Sequence, residues 1–326
     1  MRQLTPLVAA LLLACACTGG DSDDPPAASG TAVLSPAPLA GCEPSRPAPS
    51  GMSRQSLTID DLARAYGLYV PTTYDGRTAT PLVVVFHGVG QTAGDMAEYT
   101  GFNDLADEQG FVVAYPEAGP SSRWNAAQTV DAADDVGFAS GLLDALETQL
   151  CIDERTIFAV GYSDGGALAQ RMTCAEPERI TALGTVAATY VGCRAAVPWV
   201  AFHGMDDLLA PFEAGDVAAQ LGGGASLPAR RVLSDWSREL GCDALGIISR
   251  PTDNVELTTF PQCVLGDGEA QLYAIISGGH TWPGATDRSG AGATSQEIDG
   301  TQTLWEFFEA HSPLAAAPPV GDDIED

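Results

Sequence analysis

Short apolar runs punctuate the chain at roughly even spacing. Residues 82–86 (Leu-Val-Val-Val-Phe), 111–115, 156–160, 182–187, 199–202 and 272–276 carry aliphatic and aromatic residues with almost no polar break. Runs of this kind suit strands covered on both faces, as in a parallel sheet. Residues 136–150, 166–176 and 227–240 read as helices between them, the last most clearly, and 166–176 carries Leu168 and Met172 on one side. Residues 55–59 and 65–70 read as an opening strand pair, followed by a loop at 71–76. Strand–helix alternation predicts the α/β class: a mostly parallel central sheet with helices on both faces. Ligands of such sheets bind beyond the carboxyl ends of the strands.

The ends of the chain break this pattern. Met1-Arg2 and the apolar run to Leu13 read as an export signal, too short for a mature membrane span. It closes on Leu12-Leu13-Ala14-Cys15-Ala16-Cys17, a lipobox-like sequence in which Cys15 is the lipidation candidate and Cys17 its rival; plain cleavage and release is the alternative. We expect a signal at 1–17, a disordered Gly/Ser/Asp/Pro spacer at 18–41, one catalytic domain at 42–312 and a disordered acidic tail at 313–326. The 326 residues, 45% of them hydrophobic, provide for one substantial core.

Charge narrows the chemistry. The formal net charge is −28, and every one of the 15 basic residues is arginine. Without lysine there is no Schiff-base chemistry and no Ser-Lys dyad. A GC-rich coding bias is a plainer account of this composition than selection. An acidic surface argues against nucleic acid or anionic lipid as partner, leaving a lipid anchor as the one expected membrane link. We expect a monomer without cofactor. Six cysteines follow the signal region, at 42, 151, 174, 193, 242 and 263. Export favours disulfides, and the absence of any C-x-x-C argues against structural zinc. Six cysteines allow fifteen pairings, so the sequence leaves the connectivity open.

Gly161-Tyr162-Ser163-Asp164-Gly165 lies between the 156–160 strand and the 166–176 helix. Strand, sharp G-x-S-x-G turn and helix form the context of a nucleophile elbow, which lifts a serine hydroxyl clear of the sheet. A serine needs a base. His280 follows the 272–276 strand within Gly278-Gly279-His280-Thr281-Trp282-Pro283-Gly284, a loop able to hold an imidazole over the elbow. His87 and His203 precede glycines and read as structural turns, and His311 as exposed. The acid should fall between Ser163 and His280 at a strand end, where Asp206 and Asp207 stand adjacent. Asp243, Asp253 and Asp267 read as solvated, and Asp134-Asp135 as a helix start with a carboxylate cap.

Two backbone N–H groups are candidates for an oxyanion hole: that of Asp164, and that of Val89 in the loop after the 82–86 strand. The Asp164 carboxylate would oppose an oxyanion, so its side chain should point away, toward solvent or a helix N-terminus. Trp124 and Trp282 are candidate substrate walls, with packing residues as the plainer alternative.

Residues 81–91 (PLVVVFHGVGQ), 110–117 (GFVVAYPE), 134–138 (DDVGF), 161–166 (GYSDGG), 203–212 (HGMDDLLAPF) and 278–284 (GGHTWPG) together resemble the secreted polyhydroxybutyrate depolymerase and feruloyl esterase group of the α/β-hydrolases. The resemblance implies an α/β-hydrolase fold with Ser163 as nucleophile, His280 as base and Asp207, rather than Asp206, as acid. It also implies the pairs Cys42–Cys151, Cys174–Cys193 and Cys242–Cys263. The last two would close loops of about 20 residues and contribute about 3 kcal/mol each on chain-entropy reasoning. The first would pin the start of the domain to the elbow strand. Asp164 departs from the group, which often has Asn, Ala or Tyr there, and Leu208-Leu209-Ala210 departs from a commoner Pro-Val-Val type.

The expected activity is serine esterase, on feruloylated or other plant cell-wall esters that are polymer-linked, with polyhydroxyalkanoate as the alternative. Two rivals remain: a non-catalytic surface binding protein on a hydrolase scaffold, and a peptidase. No gating domain favours the peptidase, and no departure at Ser163, Asp207 or His280 favours the binding protein.

Overall fold

Strands buried on both faces need helices on both faces, and the chain supplies them in alternation. The computed structural model describes residues 41–316, apart from 60, 130–131, 217–224, 244, 265–267 and 288–289. The lipidation candidates Cys15 and Cys17, the spacer to residue 40 and the acidic tip lie outside the described residues. The first half runs β1 (Gly51–Ile59), β2 (Leu62–Val70), β3 (Thr80–Phe86), α1 (Ala93–Thr100), α2 (Phe102–Gln109), β4 (Val112–Pro116), α3 (Asp135–Gln149) and β5 (Ile152–Tyr162). The second half runs α4 (Asp164–Ala175), β6 (Ala182–Val186), β7 (Trp199–Gly204), β8 (Gly215–Asp216), β9 (Ala225–Ser226), α5 (Ala229–Glu239), β10 (Ile247–Thr252), β11 (Val255–Phe260), β12 (Ala270–Ile275) and α6 (Gly300–Ala310).

Ten strands form one sheet in the order β1-β2-β4-β3-β5-β6-β7-β12-β11-β10, and β8 and β9 form a separate ribbon. The block from β4 to β12 is parallel. Antiparallel pairs extend it at both edges. Alternate side chains of β3 go to opposite faces, as strand geometry demands. Leu82, Val84 and Phe86 join a core under α3, α4 and α5, while Val83 and Val85 join a second core under α1, α2 and α6.

The strand and helix readings from 82 to 240 hold to within a few residues. Two regions differ. The turn-rich stretch that contains Asp243, Asp253 and Asp267 carries the β10–β11 hairpin, with Asp253 at its tip. Strand β10 is exposed along almost its whole length and contains Pro251, so it lacks the apolar run or alternation that marks a strand. The expected disordered tail begins too early: Pro313–Ala316 forms a 3-10 turn, and Leu314 packs on the second core beside α6. One apolar residue in an Ala/Pro stretch is enough to continue the fold for a turn.

All three expected disulfides are present, Cys42–Cys151, Cys174–Cys193 and Cys242–Cys263. Cys151 immediately precedes β5, so the first bridge ties the start of the described chain to the elbow strand. The same junction is reinforced by Arg46, which donates to the carbonyls of Glu147 and Leu150 at the end of α3. Tyr74 completes it, donating to Arg46 O and accepting from Cys151 N.

Candidate active site

Strand β5 ends at Tyr162 and α4 begins at Asp164, so a single residue makes the turn. That residue is Ser163, held at φ 55° and ψ −121°. Such a backbone is costly for a residue with a Cβ, and surrounding structure must hold it. Ser163 N donates to Val186 O at 2.9 Å, while Ser163 O accepts from Gly166 N at 3.0 Å and Thr189 N at 3.3 Å. The turn also needs bare backbone on each side. A Cβ on Gly161 would lie 2.2 Å from Gly165 O, and one on Gly165 would lie 2.2 Å from Phe86 O.

Two loops bring partners to this hydroxyl. The turn after β12 carries His280, whose Nε2 is 2.8 Å from Ser163 Oγ. The turn after β7 carries Asp207, whose Oδ2 is 2.8 Å from His280 Nδ1. Asp207 Oδ1 accepts from the backbone of Leu209 and Ala210, each at 2.8 Å, and the carboxylate is buried. Its neighbour Asp206 is exposed, with its N–H on Gly278 O. With the carboxylate accepting at Nδ1, the neutral imidazole leaves Nε2 as an acceptor for the serine O–H. The backbone that carries the imidazole is held as well: Tyr162 donates its hydroxyl to His280 O at 2.7 Å.

The other histidines are engaged elsewhere. His87 accepts from Ala118 N at Nε2 and donates from Nδ1 to Gly88 O. His203 donates from Nε2 to Ala210 O, accepts from Tyr190 at Nδ1, and lies 3.5 Å from Asp207 Oδ2. Burial pushes both imidazoles below their ordinary pKa, which keeps them neutral. His311 is not exposed as expected: it stacks on Phe307 and pairs with Glu269 at 3.3 Å. That contact, led by the hydrogen bond from His311, holds the Glu269 carboxyl below the usual range.

The loop after β3 lies directly against the elbow, since a Cβ on Gly88 would come within 3.2 Å of Ser163 Cβ. Gln91 holds this loop by accepting from Gly88 N, and Ser122 O accepts from Gly90 N. The N–H of Val89, between them, meets no acceptor among the described residues. The N–H of Asp164 is the first of α4, one of the groups that a helix start leaves without an intrahelical acceptor. Its carboxyl does not turn to solvent. Oδ2 accepts from Trp124 N at 2.9 Å, and burial pushes the group above the ordinary carboxylate range despite the lowering influence of that bond and of Arg123.

Both candidate wall tryptophans are largely buried, in keeping with the packing alternative. Trp282 is 1% exposed, with its indole N–H on Thr301 and its backbone N–H on the Tyr99 hydroxyl. Trp124 is 6% exposed, packs on Phe86 and His87, and donates its indole N–H to His87 O. Both rings sit among other aromatics and have their polar atoms matched, which is the condition for burying an indole. Trp124 nevertheless lines a cavity of about 490 Å³ beside Asp164. Asp134 caps α3, as expected, by accepting from Gly137 N. Asp135 does something the sequence did not reveal: it pairs with Arg64 at 2.7 Å, both side chains 3% exposed. Arg64 also stacks over Phe138 and donates to Glu117 O. Among the described residues no group of His, Cys, Asp and Glu is arranged to hold a metal ion.

Comparisons with known proteins agree with this architecture. The family model described as esterase PHB depolymerase matches residues 64–213. A putative esterase, NocK, of Nocardia uniformis subsp. tsuyamanensis is 27% identical over 92% of this chain and 96% of its own. A probable feruloyl esterase C of Aspergillus niger is 25% identical over 76% of this chain and 84% of its own. An acetyl xylan esterase from Aspergillus awamori superposes with a TM-score of 0.56 at 16% identity, covering 79% of this chain and 99% of that one. This last likeness speaks for the fold. Sheet order, elbow and sequence similarity together show an esterase of the α/β-hydrolase type, similar to the polyhydroxybutyrate depolymerases and feruloyl esterases.

Proposed function

We propose that the protein is an exported serine esterase that cleaves carboxylic esters through an acyl-enzyme. The carrying observation is the hydrogen-bonded row from Ser163 through His280 to Asp207, at 2.8 Å per step. Ser163 Oγ attacks the ester carbonyl as His280 Nε2 takes its proton, and Asp207 steadies the resulting imidazolium. The carbonyl oxygen becomes an oxyanion facing the N–H groups of Val89 and Asp164, each such donor being worth roughly 10²–10³ in rate. The C–O bond to the alcohol then breaks, with His280 returning the proton to the leaving oxygen. Water, deprotonated by the same imidazole, releases the acid and restores the serine.

Feruloyl and other plant cell-wall esters are the substrates we favour, on the similarity to the curated feruloyl esterases. The family description itself keeps polyhydroxyalkanoate as the second reading. The disulfides support export, since such bonds persist in oxidising compartments. We infer a monomer held, if at all, by lipid at Cys15. Ser163→Ala should abolish p-nitrophenyl ester hydrolysis and fluorophosphonate labelling while leaving the far-ultraviolet dichroism unchanged. Retained turnover would remove Ser163 as nucleophile. Assaying release of ferulate, acetate and 3-hydroxybutyrate from their polymers decides between the two substrate readings.

A further inference from the structure

The cavity beside Asp164 contains a charged group that the triad does not use. Its volume, about 490 Å³, falls in the range of small-molecule sites, roughly 300–1,000 Å³. Its walls come from the 119–125 loop, the segment leading into α3, and the first residue of α4. Most of the polar groups on those walls are already engaged. Asp135 is paired with buried Arg64 and accepts from Asn125 N. The Asn125 amide is bonded to Thr129 and Ala133. Asp164 is the exception. Among the described residues its carboxyl accepts one N–H, from Trp124, whereas a carboxylate has about four acceptor positions.

Position makes this group consequential. Asp164 follows Ser163 directly in the chain, so the cavity it lines begins one residue from the nucleophile. Arg123 stands on the same wall and acts electrostatically on Asp164. While ionised, Asp164 presents acceptor oxygens and a negative charge to the cavity. A hydroxyl entering would find an acceptor. An anion entering would meet a like charge close by, in partly desolvated surroundings where such repulsion is strong.

We propose that this cavity receives an uncharged, hydroxyl-bearing part of the ester, and that Asp164 is its specificity residue, accepting that hydroxyl and turning away carboxylate- or sulfonate-bearing groups. The proposal rests on Ser163 being the nucleophile and deepens that reading by naming the substrate class. The charged groups facing Asp164 are Arg123 on its own loop and Asp135 on α3, with the Trp124 N–H as donor.

Two pairs of esters test it on the full chain. Phenyl acetate against 4-acetoxybenzenesulfonate places the charge on the alcohol; 4-nitrophenyl butyrate against its 4-sulfobutyrate counterpart places it on the acyl group. The readout is the ratio of kcat/KM for the anionic ester to that for the neutral one. Asp164→Asn should raise this ratio about tenfold at pH 7.5 in at least one pair, and Asp164→Ser should do the same. Glu178→Gln, which removes an exposed charge beyond the far end of α4, should leave it unchanged. In the unaltered protein the ratio should fall as pH rises and Asp164 ionises, a comparison that needs no variant to fold. Ratios that move less than about twofold in both pairs, with a pH-independent ratio in the parent, overturn the proposal. If the parent hydrolyses no neutral ester and takes no fluorophosphonate, the nucleophile reading itself has failed and this one falls with it.

Discussion

At the residue scale, two imidazoles converge on one carboxylate. His280 takes Asp207 Oδ2 at 2.8 Å, while His203 stays at 3.5 Å with its Nε2–H aimed at Ala210 O. Asp207 therefore orients His280 rather than sharing it, and its second oxygen is held by two backbone N–H groups. Asp207→Asn should keep the fold but lower kcat by roughly 10³–10⁴-fold with KM little changed, because the amide cannot stabilise the imidazolium. Asp206→Asn, at the exposed neighbour, should change kcat less than about twofold; equal losses in the two variants would reassign the acid. A second residue-level outcome concerns Gly165. Its Cβ position is 2.2 Å from Phe86 O, so Gly165→Ala must push β3 away from the elbow and should cost both stability and activity, read by denaturant midpoint and esterase rate. The serine and histidine were legible because each follows an apolar strand and the chain order is characteristic, whereas Asp207 was separated from Asp206 by the family resemblance. The tryptophans were not legible, since a Trp in a Gly/Pro-rich loop has the same local sequence whether it faces inward or outward. The Arg64–Asp135 pair was equally hidden, as its members are 71 positions apart and nothing in the sequence links Arg64 to the helix start at Asp134-Asp135.

At the element scale, the elbow strand is fastened at its start as well as its end. Cys151 precedes β5, and its bridge to Cys42 closes a span of 109 residues. Loop-closure reasoning gives such a bridge about 4–5 kcal/mol, more than either short-loop bridge. The double change Cys42→Ser, Cys151→Ser should therefore lower unfolding stability by several kcal/mol. It should also release the Arg46 strap from the end of α3, visible as faster amide exchange at Leu150 and Cys151. A smaller loss than that from opening Cys174–Cys193 would contradict the loop-length account. Elements with buried runs were the easy ones to anticipate. The α1–α2 pair was missed because two eight-residue helices, hinged at Gly101, each offer too few turns for a helical period to stand out. Once seen, Thr92 and Asp95 form a capping box that marks the start of α1 in sequence. The β10–β11 hairpin carries no such mark, because its edge strand is exposed and polar.

At the scale of the whole molecule, two buried neutral histidines link folding to pH. His87 and His203 both have folded-state pKa values pushed below the ordinary 6.5 by burial. Above that value both states hold them neutral and their contribution to stability is complete. Below it the unfolded chain binds protons that the folded chain refuses, so stability falls by about 1.4 kcal/mol per pH unit for each histidine, until the folded-state pKa is reached. The net charge of −28 pulls the other way, since acidification toward the isoelectric point near 4.1 relaxes self-repulsion. A comparison of slopes separates the two. Denaturant midpoints at fixed ionic strength between pH 7.5 and 5 should decline less steeply in His87→Gln than in the parent, although the variant starts lower because Ala118 N and Gly88 O lose their ring partner. Adding salt should lift parent and variant alike, because screening acts on the whole charge distribution and not on one imidazole. Parallel pH slopes would mean that His87 already accepts a proton in the folded state. Its ring would then no longer be the acceptor for Ala118 N that keeps the loops after β3 and β4 together beside Ser163.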